Sequence, residues 1–235
     1  MIPIRDTAPR YRFPIINIGL IFLNVYIFIQ QLTLPPEQLY CFIYTYGTVP
    51  ANLTGSLLSI LEPGFSFSTF LAAAVPLVTA NFLHGGWLHL IGNMLYLWIF
   101  GDNIEGTLGH LKYLLLYLFM GVASQLFHIF SDPFSTTPLV GASGAIAGVL
   151  GAYFILFPYA RILTLVPIGF FITFVQMPAV IFLGFWFILQ LLNTWMQGAA
   201  IGVQAVAWWA HIGGFIVGLG IGVLAKKRLV TKYRY

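Results

Sequence analysis

The sequence predicts an all-α membrane protein of six transmembrane helices with both termini cytoplasmic. Three observations lead there. Sixty per cent of the 235 residues are hydrophobic and 7% are charged, with a mean hydropathy of +0.92. A soluble domain of that length cannot hide so much apolar surface, so lipid must be the solvent for most of the chain. Apolar runs long enough to cross a hydrocarbon core of about 30 Å, which takes roughly 20 residues as a helix, recur along the chain. Finally, all ten Lys and Arg residues fall on one side of the topology those runs imply, and positive residues mark the cytoplasmic face.

Taken in order, the elements form a single membrane domain over residues 1–235. Span one covers about 13–33. Arg5, Arg10 and Arg12 precede it, as in a signal peptide, but Gln30-Gln31-Leu32-Thr33 follows with no small-residue cleavage site. The run therefore reads as a retained helix. A long first outer loop, about 34–85, holds segments such as Leu57–Leu61 and Phe70–Leu77. These are too short to span and too apolar for water, so they belong in the outer membrane interface. Spans two, three and four follow at 86–104, 110–130 and 140–157. The apolar stretch Ile162–Met177 is broken by Pro167 and Gly169 and closed by Pro178, and is expected along the interface rather than across it. Span five, 178–197, carries Phe182, Phe185, Trp186 and Phe187 and no ionisable residue. Span six is 203–225.

This layout places Arg5, Arg10, Arg12, Lys112, Arg161, Lys226, Lys227, Arg228, Lys232 and Arg234 on the inner side. The net charge of +4 thus reads as a topology signal and as lipid-headgroup contact, not as a nucleic-acid surface. Cys41 is the single cysteine, so neither an intrachain disulfide nor a thiolate metal cluster is available. With no cleavable leader or transit peptide, the expected location is a prokaryotic plasma membrane.

Polar side chains inside hydrocarbon are costly, and each needs a reason. Ser143 lies in Gly141-Ala142-Ser143-Gly144-Ala145-Ile146-Ala147-Gly148, and His211 in Ala210-His211-Ile212-Gly213-Gly214-Phe215-Ile216-Val217-Gly218. Both spans enter from outside. At a rise of ~1.5 Å per residue, Ser143 is expected about 5 Å in and His211 about 12 Å in. Gly144 and Gly148 on span four, and Gly214, Gly218 and Gly222 on span six, form faces that let backbones approach closely. A nucleophile and a base can then meet across the two helices. Taken alone, either motif also fits plain helix packing. At matching depth they favour a membrane-embedded serine hydrolase.

A third cluster enters from the same side. His84, His89 and Asn93 surround the outer end of span two, and His89 and Asn93 share a helix face. Metal ligation is the rival use of two histidines, but no carboxylate or thiolate lies near them in depth. No metal and no cofactor is expected, and the imidazole and amide suit hydrogen-bond donation to a developing oxyanion. Asp6, Asp102 and Glu105 fall at the inner side, and Glu37, Glu62 and Asp132 in outer loops. A Ser-His-Asp triad would need an outer loop folded onto the site, so a two-residue Ser-His pair is the simpler catalyst.

These residues resemble the rhomboid family of intramembrane serine proteases over about 84–225. The resemblance rests on His84-x4-His89-x3-Asn93, Gly141-x-Ser143-Gly144, Ala210-His211-x2-Gly214-x3-Gly218, and six helices with both ends inside. It implies Ser143 as nucleophile and His211 as general base. It also implies an oxyanion hole of His89, Asn93 and the Ser143 backbone N–H, with His84 as a structural histidine beside it. Two family features are missing. Residues 34–85 contain no Trp or Arg, so the Trp-Arg pair of some members' first outer loop is absent. The aromatic that some members place four residues after the serine is Ala147 here, so His211 must be oriented by something else.

The function expected is endopeptidase cleavage of membrane-protein substrates in or near their transmembrane segments. Two alternatives stand beside it. One is an inactive rhomboid-like protein that binds membrane clients; the other is a small-molecule or ion transporter, for which no internal repeat is found.

Overall fold

The computed structural model describes residues 1–63, 65–168, 171–197 and 207–232. Helix dominates. Strand β1 (Ile2–Asp6) leads into α1 (Ile15–Thr33). The outer-loop region then folds into short helices: α2 (Pro36–Tyr46), α3 (Pro50–Leu58), α4 (Phe67–Ala74) and α5 (Pro76–Thr79). Helix α6 (Trp87–Tyr96) continues through a π-helical turn, Leu97–Gly101, into α7 (Asp102–Leu108). The long helix α8 (His110–Ser131) and the short α9 (Ser143–Leu156) follow. Strands β2 (Arg161–Ile168) and β3 (Phe171–Pro178) precede α10 (Ala179–Gln197) and α11 (Trp208–Lys232).

Among the described residues, four helices are long and apolar enough to cross a bilayer: α1, α8, α10 and α11. The pair Phe67–Phe82 and Trp87–Leu108 passes the same test only jointly, bent by 78°. The chain is a multi-pass membrane protein, mostly helical as the composition requires.

Helix α9 departs from the expected span 140–157. It starts at Ser143 and has 14 residues, about 21 Å at ~1.5 Å per residue, too short to cross a bilayer alone. It has no need to, because every residue from Gly144 to Tyr153 is buried. The residues before it stand outside the helix: Gly141 N–H donates to the Ala80 carbonyl, and Thr48 pairs with Leu139. Span six likewise starts later than expected, at Trp208, while residues 203–206 lie outside the described residues. Ser143 is thus the first residue of its helix and His211 the fourth of its own. The expected depths of 5 and 12 Å shrink to 0 and about 5 Å from the helix starts, and they remain matched.

Helices α9 and α11 run side by side because glycines let them. A Cβ on Gly214 would sit 2.1 Å from the Gly144 carbonyl oxygen, and one on Gly218 only 1.9 Å from that of Gly148. No side chain fits there, so backbone touches backbone.

Ile162–Met177, expected along the interface, forms a β-hairpin, with Ile162 opposite Met177. Strand β1 adds to it in the antiparallel sheet order β1-β2-β3. β-branched and aromatic residues fill the hairpin strands, which suits a pleated ladder. The sheet is tied to α9 by Tyr153, whose hydroxyl donates to Asp6. Burial pushes the Asp6 carboxyl above its ordinary range, and that hydrogen bond pulls it partly back.

One end of the bundle carries its own polar network. Pro14 leaves the α1 N-terminus without a side-chain cap. Glu105 takes that role, accepting from the N–H groups of Ile16 (3.0 Å) and Asn17 (2.7 Å), where a carboxylate also meets the positive helix end. Asn17 donates to the Leu97 carbonyl in the π-turn and accepts from the Tyr113 hydroxyl. Arg10 pairs with Asp102, and Lys226 donates to the Ile155 carbonyl. The start of α1 and the basic stretch of α11 therefore share one end, opposite the starts of α9 and α11.

Candidate active site

Ser143 sits at the start of α9 because Gly141 turns the chain into that helix. Gly141 has φ +126°, and a Cβ there would lie 2.7 Å from His89 Nε2. Positive φ and this close approach each call for glycine. Two residues on, Ser143 Oγ lies 2.8 Å from His211 Nε2. The hydroxyl can donate only to an unprotonated Nε2. The pair is therefore geometrically able to pass a proton from serine to imidazole.

His211 is held on its other side as well. Its Nδ1 lies 2.9 Å from Gln190 Oε1 on α10. The rings of Trp186 (centroid distance 6.2 Å) and Trp208 (5.7 Å) flank the imidazole. Ala147, the position lacking an aromatic, is fully buried, and its Cβ lies 3.2 Å from where a Gly214 Cβ would be. The tight α9–α11 contact leaves no room for a ring at that place.

The third cluster surrounds the same turn. Gly85 N–H donates to His89 Nδ1 at 3.5 Å, which leaves the proton on Nε2, the atom beside Gly141. Asn93 Nδ2 donates to His84 Nε2 at 2.9 Å, and its second N–H is left to serve the Gly141–Ser143 side. Nδ2 would be 3.7 Å from a Gly141 Cβ. His84 is fixed by Gln31 of α1, which accepts from the His84 N–H (3.0 Å) and donates to its carbonyl (3.2 Å). His84 and His89 meet ring to ring at 5.1 Å. A cavity beside Ser143 is lined by Ala80, Ser124, Gln125, Gly141, Gly144 and Ala210.

Ser143, His211, His84, His89, Asn93, Gly141, Gly144 and Gly214 gather here, whereas Gly148, Gly218 and Gly222 lie farther along the α9–α11 contact. Sequence reasoning missed Gln190, Gln31 and Trp208, and did not connect Trp186 with His211. A signal for Gln190 existed: it is an amide in an apolar span, 6% exposed, and a buried polar group needs partners.

Residues 72–228 match the family model described as Rhomboid domain. Curated relatives agree with that match. The chain is 30% identical over 161 residues to Rhomboid protein 1, mitochondrial, of Saccharomyces cerevisiae, covering 65% of this chain and 42% of the yeast protein. It is 35% identical over 166 residues to Rhomboid-like protease 5 of Toxoplasma gondii, covering 67% and 17%. With Rhomboid protease GluP of Bacillus subtilis it shares 45% identity over 76 residues, covering 32% and 14%. The chain thus spans less than half the length of each of these relatives.

Proposed function

Since the chain belongs to the rhomboid family, we propose that it is an intramembrane serine endopeptidase that cuts membrane-protein substrates in or near their transmembrane segments. One observation carries this reading: a serine hydroxyl 2.8 Å from a histidine nitrogen, at helix starts inside a multi-pass membrane protein. Ser143 Oγ attacks the scissile carbonyl carbon while His211 Nε2 takes its proton. The tetrahedral oxyanion accepts from the Ser143 backbone N–H, His89 Nε2–H and Asn93 Nδ2–H. On collapse, His211 returns the proton to the leaving amine. Water then hydrolyses the acyl-enzyme with His211 again as base; the Ser124 and Gln125 side of the cavity is polar enough to admit it.

The same reading takes residues 1–235 as one domain with six spans. The joined helix α6–α7 is the second span and the buried α9 the fourth, and both termini are cytoplasmic. The last point is supported by the inner-end clustering of Arg10, Arg161 and Lys226. A plasma membrane of prokaryotic type fits the sequence, although the relatives above include a mitochondrial protein. The lipid bilayer and transmembrane substrates are the partners.

A fluorophosphonate probe tests the reading directly. It should label the wild-type protein in detergent and fail to label Ser143→Ala. Absence of labelling in a folded wild-type protein would favour a client-binding protein without catalysis.

A further inference from the structure

We propose that Gln190 is the positioning residue for His211, extending the expected Ser143-His211 pair to a Ser-His-Gln arrangement whose third member comes from α10. The inference rests on the proposed serine-protease reading and adds a role to a residue outside the Ser-His pair and its oxyanion donors.

The orientation of the Gln190 amide carries the case. Its Nε2 donates to the Trp186 carbonyl one turn earlier, at 3.1 Å. Rotating the amide by 180° would set oxygen against that carbonyl oxygen, so Oε1 is the end that faces His211. An amide oxygen only accepts. The 2.9 Å contact with His211 Nδ1 therefore requires the proton to be on Nδ1. A neutral imidazole protonated there has its lone pair on Nε2, the atom 2.8 Å from Ser143 Oγ. Gln190 thus selects the tautomer in which His211 can act as base, and it holds the ring plane along the Ser143 direction.

Three further features agree. Gln190 is buried, so little water competes for its oxygen. Trp186 and Trp208 limit tilting of the ring. Ala147 leaves no aromatic beneath the imidazole, so α9 contributes no ring to hold it. When imidazolium forms as Ser143 attacks, its Nδ1–H bond to the amide becomes charge-assisted and strengthens in the transition state.

The test is the rate of fluorophosphonate labelling, in which Ser143 Oγ forms the bond to phosphorus, fluoride leaves, and His211 takes the serine proton. Gln190→Leu should lower the limiting labelling rate about 10- to 100-fold, the worth of one hydrogen bond to a charged group, with the probe's half-saturating concentration and the melting temperature little changed. Gln190→Glu restores an acceptor and should recover labelling at alkaline pH. Its acidic limb should move to higher pH, because a carboxylate against Nδ1 favours imidazolium. The other titratable groups acting on His211 are His89 of α6 and His128 of α8, and both are unchanged in these variants. A residue that only packs would lower the melting temperature and leave the pH profile in place.

Should Gln190→Leu fail to fold, nitrogen-15 NMR of the wild-type histidines reads the tautomer without any Gln190 variant. His211 protonated at Nδ1 supports the assignment, and His211 protonated at Nε2 overturns it. Wild-type labelling by a folded Gln190→Leu also overturns it. If instead Ser143→Ala and His211→Ala label like the wild type, the serine-protease reading itself falls. The two failures are therefore distinguishable.

Discussion

At the residue scale, the site is a set of donors and acceptors whose directions are fixed by neighbours. His89 Nδ1 is occupied by Gly85 N–H, and Asn93 is steadied by His84, so each has an N–H left over beside Gly141. Removing one such donor typically costs on the order of 10²–10³ in rate. Steady-state cleavage by His89→Ala and Asn93→Ala should fall within that range for the first and less for the second, with KM little changed. Wild-type turnover in both would mean that the hole is made elsewhere. The pair, the cluster and the flanking glycines were legible in the sequence because each is a polar or small residue where hydrocarbon disfavours or needs one. Gln190 was not, because its partner His211 lies on α11, a neighbour in space rather than along the chain. The Asn17, Asn24 and Gln31 series on α1 was likewise hidden. All three are buried at seven-residue spacing, and the outermost braces His84.

At the element scale, the decisive contact is α9 against α11. The site depends on two backbones approaching closely enough for a serine to reach a histidine. Gly218 is two turns below His211, so its substitution tests packing apart from chemistry. Gly218→Val places atoms where the Gly148 carbonyl already sits. Overpacking of this kind typically costs about 1–3 kcal/mol. Thermal unfolding in detergent should show a lower melting temperature, and labelling of Ser143 should fall because the helices part. A melting temperature equal to the wild type's would contradict the packing described here. The glycine spacing foretold this contact. The β-hairpin was present in the sequence only as a run of β-branched and aromatic residues around Pro167 and Gly169, which reads equally as a broken helix. Its third strand, Ile2–Asp6, pairs with Ile162–Leu165 across more than 150 positions, and no local pattern announces such a partner.

At the scale of the whole molecule, the architecture buries one short helix inside longer ones. Helix α9 is enclosed along Gly144–Tyr153, so its first residue can lie below the surface of the bundle without exposing backbone polar groups to lipid. Composition and charge placement sufficed to read a multi-pass helical protein. The late start of α9 was not legible, since Val140 and Gly141 continue the apolar run although they stand outside the helix. The central claim is that Ser143 and His211 act as one catalytic unit in this enclosed position. Purified protein in proteoliposomes with a single-span transmembrane substrate tests it most directly, comparing wild type, Ser143→Ala, His211→Ala and the double variant. We expect cleavage by the wild type, loss in each single variant, and no further loss in the double variant, because residues that act as a unit do not add. Substantial cleavage by Ser143→Ala would contradict the account.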